Sequence, residues 1–216
     1  NQFLQKYKKK LRQYLMSKEL VKRILSSIIL LPLVFYFLTS GSFLLILFIV
    51  LCFIITFYEW NKMSKNKFYK IFGFIFLLFS FYTFYHLSIE LFLLIYVILI
   101  CISTDMGGYI FGKIFKGPKL TTISPNKTYA GMFGGYLLSL ICLIVITNFI
   151  DYSIKTFQLI LITILLSTVS QVGDIIVSYF KRKANIKNTS NLIPGHGGLL
   201  DRIDGMIFAV PALYLI

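Results

Sequence analysis

Charged side chains are scarce in these 216 residues, at 14%, and acidic ones scarcest, with 8 Asp and Glu against 22 Lys and Arg. Soluble domains average about 25% charged and about 45–50% apolar residues. This chain is 57% hydrophobic with a mean hydropathy of +0.81, which excludes an ordinary soluble domain. Its apolar residues come in long runs, so the solvent it is built for is lipid. The net charge of +14 does not make it a nucleic-acid binder, because the basic residues avoid the apolar runs and gather between them. Anionic lipid or a phosphate-bearing substrate is the better partner. Cysteine is rare too. Cys52, Cys101 and Cys142 each sit in an apolar run with no CxxC and no adjacent His, which argues for packing rather than metal or disulfide chemistry.

What is present is a series of mostly apolar stretches: Ile24–Ser40, Ser42–Tyr58, Ile71–Tyr85, Leu87–Ser103, Ala130–Ile150 and Phe157–Val177. Each approaches the 17–25 residues that a membrane-crossing helix needs. A seventh begins near Met206 and is too short at about 1.5 Å per residue to cross a hydrocarbon core. The expectation is an all-α, polytopic membrane bundle of about seven helices, forming one integral membrane domain over 1–216. Within it, 1–23 is a basic cytoplasmic or interfacial segment, 24–104 carries membrane helices, and 105–216 is the motif-bearing half. The opening segment is too long and too polar for the n-region of a cleavable signal. Phe3, Tyr7, Leu11 and Leu15 recur there at helical spacing among lysines, as in a basic helix lying on a membrane surface; a solvated tail is the alternative.

Cytoplasmic loops carry an excess of Lys and Arg. Segments 1–23, 59–70, 105–127 and 181–204 hold 8, 4, 4 and 5 of the 22 cations, leaving Lys155 alone in the alternate loops. Six complete crossings with the amino terminus inside follow, and every candidate site residue then faces the cytoplasm. Gly, Ser and Thr near helix ends permit a homodimer without requiring one.

An ionisable group in a spanning helix is expensive, so it is a functional candidate by default. Asp174 is the clearest: Ser167, Gln171, Asp174 and Ser178 follow at spacings of four, three and four and share one helix face. A stripe that only glues helices together is the alternative. Asp105 ends the fourth run, ahead of Gly107 and Gly108, and beyond it come Lys113 and the stretch Ser124-Pro125-Asn126-Lys127-Thr128. Lys113 is followed by Ile114, so this is no Walker loop. The densest region is 178–204, with Lys181, Arg182, Lys187 and Arg202, a Pro194-Gly195-His196-Gly197-Gly198 run, and Asp201 and Asp204 three apart. Its glycines let backbone amides approach an anion, and a pair of carboxylates is what Mg²⁺ accepts beside substrate phosphates.

These residues carry a resemblance. S-x-x-K-R-x-x-x-x-K at Ser178 to Lys187, then P-G-H-G-G-x-x-D-R-x-D at Pro194 to Asp204, resembles the signature of the phosphatidate cytidylyltransferases, also called CDP-diacylglycerol synthases. Ser124 to Thr128 and Gln171-x-Gly173-Asp174 are similar to the same family, so the likeness covers roughly 103–205 and the earlier helices match in hydropathy only. Two positions depart: Asn188 stands where the family commonly has Asp, and Ala130 where it often has Glu.

The resemblance implies a cytidylyl transfer from CTP to phosphatidate, giving CDP-diacylglycerol and pyrophosphate in a bacterial inner membrane. It implies catalytic roles for Asp174, His196, Asp201, Arg202 and Asp204, with Mg²⁺ held by Asp174, Asp201 and Asp204. Lys127, Lys181, Arg182, Lys187 and Arg202 would divide the substrates' phosphates. Asp105, Lys113, Ser124, Asn126, Thr128, Gln171 and Ser178 would complete the substrate contacts, with the glycines 195, 197 and 198. A lipid or polyprenol kinase shares these ingredients but releases a nucleoside diphosphate, and an anion transporter would also use an intramembrane Asp.

Overall fold

A computed structural model describes residues 21, 25–26, 28–30, 32–40, 42–148, 156–195 and 197–216. The basic opening through residue 20, Lys155 and His196 lie outside the described residues. The elements are helices α1 (Ser42–Met63), α2 (Lys67–Ile89), α3 (Leu91–Phe115), α4 (Tyr129–Thr147), α5 (Thr156–Lys183), α6 (Leu200–Ile203) and α7 (Met206–Tyr214). Among the described residues, only two isolated bridges supplement them, and there is no strand. Helices α1 to α5 are long and apolar enough to cross a membrane, and a shorter apolar helix runs over Ile28–Thr39.

The all-helical fold class agrees with the sequence, but several helices outlast their apolar runs. In a bilayer every backbone polar group needs an internal partner, so the helix continues through polar residues where lipid gives way to water. Helix α1 continues past Tyr58 to Met63 and takes Glu59 into the helix. Helix α2 starts at Lys67, capped by Asn66 Oδ1, which accepts the Phe68 amide at 3.1 Å. It runs on through His86 and Ser88, so the chain reverses at Glu90 rather than at His86. Helix α3 carries Asp105 well inside it and stops at Phe115, where Lys116 and Gly117 take positive φ. Helix α5 extends to Lys183, so Lys181 joins the polar stripe of Asp174 and Ser178.

Two apolar clusters hold the bundle. One gathers Leu94, Val97 and Ile100 of α3 with Leu166 of α5 and Ala209 of α7; the other gathers Trp60 of α1, Leu77 of α2, Val177 of α5 and Ile207 of α7. Buried hydroxyls link helices across these contacts: Tyr96 to Thr163 at 2.8 Å, Thr104 to Ser167 at 3.0 Å, and Ser80 to the Ile207 carbonyl at 2.8 Å. The outward faces of α1 and α2 expose Phe43, Ile54, Ile71 and Phe72, as a lipid-facing surface requires.

The tightest contact is between α3 and α4, and it is made by glycine. A Cβ on Gly107 would strike the Gly134 carbonyl, and one on Gly131 would lie 2.7 Å from the Gly108 carbonyl. Backbone meets backbone along this seam, which sets Gly112 of α3 beside the Thr128 cap of α4 and Thr104, next to Asp105, beside Gly135.

Candidate active site

At the start of α4 the chain forms a tethered loop. Leu120 donates to the Lys127 carbonyl at 2.8 Å, Lys127 to the Ser124 carbonyl at 3.0 Å, and Tyr129 to the Pro118 carbonyl at 3.2 Å. Thr128 caps α4 through its Oγ1, which accepts the Gly131 amide at 3.1 Å. With its backbone thus committed, the loop aims Lys127 at α5, where its Nζ lies 2.6 Å from Asp174 Oδ2. Ser178 donates to the other oxygen, Oδ1, at 3.2 Å.

A cavity of about 330 Å³ opens between α3, the loop and α5. Asp105, Ser124, Asn126, Lys127, Thr128, Gln171 and Asp174 all line it. Seven of the candidates picked from two separate stretches of sequence and from α3 therefore meet in one place. Gln171 is oriented by its Nε2, which donates to Ser167 at 3.4 Å. Pro125 turns away to a second, more open cavity of about 630 Å³, bordered also by Arg182 and Lys183. The 124–126 turn is thus a partition between the two.

The carboxy-terminal motif folds as a loop pinned by carboxylates. Ile193 and Gly197 exchange backbone hydrogen bonds at 2.8 and 3.1 Å, and Gly195 and Gly197 adopt φ of 77° and 90°, which glycine alone takes without strain. Asp201 Oδ2 accepts the Thr189 amide at 2.8 Å, the Gly198 amide at 3.0 Å and the Thr189 hydroxyl at 3.1 Å, while Oδ1 takes Lys181 at 2.9 Å. Burial pushes the Asp201 carboxyl up, but the Gly198 amide, Lys181 and the Thr189 amide outweigh it and hold the group below the usual carboxylate range.

Lys181 also reaches Asp204 Oδ2 at 3.6 Å, so one ammonium bridges both carboxylates. Asp204 is buried and lies beside α5 because Gly173 and Gly205 lack side chains: a Cβ on Gly173 would meet Phe208 and the Asp204 carbonyl, and one on Gly205 would strike Ser170. Its carboxyl is pushed well above the usual range, first by burial and then by the charge of Asp174; Lys181 opposes this, and Asp105 adds to it. The charges of Asp174 and Asp105 thus act on the Asp204 carboxyl, which itself does not line the cavity.

Not every expected residue converges. Asp201 has both oxygens engaged in holding the loop, by the Thr189 and Gly198 amides and by Lys181. Lys113 is exposed and turns back toward the Tyr109 hydroxyl at 3.5 Å, and Lys187 is exposed on the loop. Arg182 donates to the Ile186 carbonyl at 3.4 Å and faces the second cavity. Arg202 is exposed beside the site. The residue the sequence reading missed is Glu59 of α1, 1% exposed, whose carboxylate meets the carboxy-terminal loop. Its signal was an acid at the end of an apolar run.

Magnesium fits the donor set in a restricted way. Among the described residues no three His, Cys, Asp or Glu side chains form a ready-made cage. Mg²⁺ is usually held by one or two carboxylates, with water and substrate phosphates completing its shell. Asp174 and Asp204 can supply those carboxylates.

Residues 21–90 and 68–216 match the sequence profile of the cytidylyltransferase family. Over 124 residues the chain is 43% identical to the phosphatidate cytidylyltransferase of Staphylococcus haemolyticus (strain JCSC1435). It is 42% identical to that of Staphylococcus saprophyticus subsp. saprophyticus and 40% identical to that of Staphylococcus aureus (strain COL) over the same length. Each match covers 57% of this chain and 48% of the relative, so the chain spans about half the length of the curated relatives it matches. The chain belongs to the cytidylyltransferase family.

Proposed function

We propose that this member of the family transfers a cytidylyl group from CTP to phosphatidate, releasing pyrophosphate and leaving CDP-diacylglycerol in the membrane. The observation that carries the reading is the cavity in which Lys127 and Asp174 meet at 2.6 Å among Asp105, Asn126 and Gln171, at the end of an apolar bundle. A phosphate oxygen of phosphatidate forms a bond to the α-phosphorus of CTP, and the bond from that phosphorus to the β-phosphate oxygen breaks. The nucleophile is already ionised, so no general base is needed, and the obstacle is repulsion between two anions. Positioning and charge stabilisation are what the protein adds.

Lys127 exchanges its contact with Asp174 for a substrate phosphate, and Lys181 stands ready between Asp201 and Asp204. Arg182 and Arg202, both exposed, suit bidentate contact with phosphate groups that extend out of the cavity. Asp174 and Asp204 would hold Mg²⁺, which when bound neutralises and aligns phosphoryl oxygens. The acyl chains remain in the bilayer.

The distribution of 21 of the 22 cations supports an amino terminus and site on the cytoplasmic side of a bacterial inner membrane. The partly described helix over Ile28–Thr39 and the short α7 support a bundle of about seven helices. The test is the purified protein in detergent with phosphatidate, Mg²⁺ and CTP labelled in the α-phosphate. Label in CDP-diacylglycerol with equimolar pyrophosphate is expected. Release of CDP with a phosphorylated lipid would identify a kinase instead.

A further inference from the structure

Glu59 lies in α1, outside the motif-bearing half of the chain, yet its carboxylate is engaged by the motif loop 130 to 141 residues away. Oε2 accepts the Thr189 hydroxyl at 2.9 Å and the Leu200 amide at 2.8 Å; Oε1 accepts the Ser190 hydroxyl at 2.5 Å and the Leu199 amide at 3.1 Å. All of these partners donate, which suits an acceptor-only carboxylate, with the one Thr189 hydroxyl proton shared between Glu59 Oε2 and Asp201 Oδ2. Two of them are the backbone amides at the start of α6, the helix that carries Asp201 and Arg202. The loop is shaped to receive the carboxylate: a Cβ on Gly198 would stand 2.6 and 2.7 Å from its oxygens and would strike the Thr189 hydroxyl. Glu59 and Asp201 thus both hold Thr189 and the 198–200 turn.

We infer that Glu59 is a positioning residue for the phosphate-handling segment, the buried pin by which the amino-terminal helices set where Asp201, Arg202 and Asp204 stand. Glu59 is 1% exposed and is not among the residues lining the cavity of Lys127 and Asp174, so it acts through the loop. An ångström of misplacement can cost about a hundredfold in rate, and the polar contacts Glu59 makes are the kind whose loss leaves buried donors unpaired. The inference rests on the proposed cytidylyl transfer for its kinetic arm only.

The experiment combines hydrogen–deuterium exchange with steady-state kinetics on the full chain carrying Glu59→Gln. The Gln amide group keeps one acceptor oxygen but presents N–H to donors on its other side. Exchange at Leu199 and Leu200 should quicken by about tenfold or more, and turnover at saturating CTP and phosphatidate should fall about a hundredfold, with KM for CTP little changed. Gly198→Ala approaches the same contact from the loop and should reproduce both effects. If Glu59→Gln does not insert, Glu59→Asp, which retains the charge at a shorter reach, should show smaller shifts in the same directions. Unchanged exchange at 199–200 overturns the inference, and so does faster exchange with wild-type turnover. If the wild-type protein forms no CDP-diacylglycerol, the proposed reaction fails, and the exchange arm still decides whether Glu59 holds the loop.

Discussion

Replacing Asp174 by Asn separates what the site does from what holds it together. The Lys127–Asp174 pair is 2.6 Å long with side chains 24% and 28% exposed. An exposed pair contributes about 0–1 kcal/mol, and breaking a fully buried one costs about 3–5 kcal/mol; screening at a quarter exposure puts this loss at about 1–2 kcal/mol. Against that stands relief, because Asn removes one of the charges repelling the buried Asp204. The two effects leave a net cost of about 1 kcal/mol, which shifts the melting temperature of a chain this size by about 2–4 °C. Activity should respond far more. Removing one group aligned with charge in the transition state costs about 2.7–4 kcal/mol, or about 10²–10³ in rate. Labelled-CTP turnover at saturating Mg²⁺, beside a melting curve in the same detergent, reads both. Near-normal turnover with a melting temperature lowered by 10 °C or so would make the ion pair a structural strut and refute its place in the reaction.

Asp201→Asn should act on acid stability. The wild-type carboxyl lies below its usual value, so its contribution is fully present above the unfolded value of 3.8 and is lost as pH falls through the folded one; the variant should lose that stability at neutral pH and show a flatter acid transition in the fluorescence of Trp60. Gly134→Ala places a methyl against Phe111 and within 2.8 Å of the Gly107 carbonyl, and should cost about 1–3 kcal/mol, read as a lower melting temperature with the cavity's activity lost in parallel. Cysteines placed at Lys155 and Lys116 should label from opposite faces of sealed vesicles, and labelling from one face would discard the cytoplasmic site.

Five of the spans, α1 to α5, were legible because lipid imposes a coarse requirement that composition reports directly, and the face shared by Gln171, Asp174 and Ser178 followed from helical spacing alone. Helix ends were not legible. Glu59, His86 and Lys181 read as loop residues by hydropathy, yet the backbone stays helical through them because its hydrogen bonds are already made. Asp201 and Asp204 were rightly read as near neighbours, but nothing local tells that the amides of Thr189 and Gly198 claim one of them. For Glu59 the deciding contacts lie with residues 189 to 200, and no pattern within α1 encodes a partner that distant.

The glycine seam between α3 and α4 has a further bearing on how the cavity behaves. Most helix contacts are made by side chains that hop between rotamers, so the spacing of the walls they support breathes with temperature and with the lateral pressure of the lipid. Here Gly107 and Gly131 bring their α-carbons directly against the Gly134 and Gly108 carbonyls, backbone on backbone. The spacing of α3 from the first turns of α4 is then set by covalent geometry and van der Waals radii, quantities that neither heat nor bilayer thickness alters much. The lipid-facing sides of the same helices, exposing Ile102, Ile110, Phe133 and Ile141, are free to exchange one apolar residue for another without the gauge of the cavity changing.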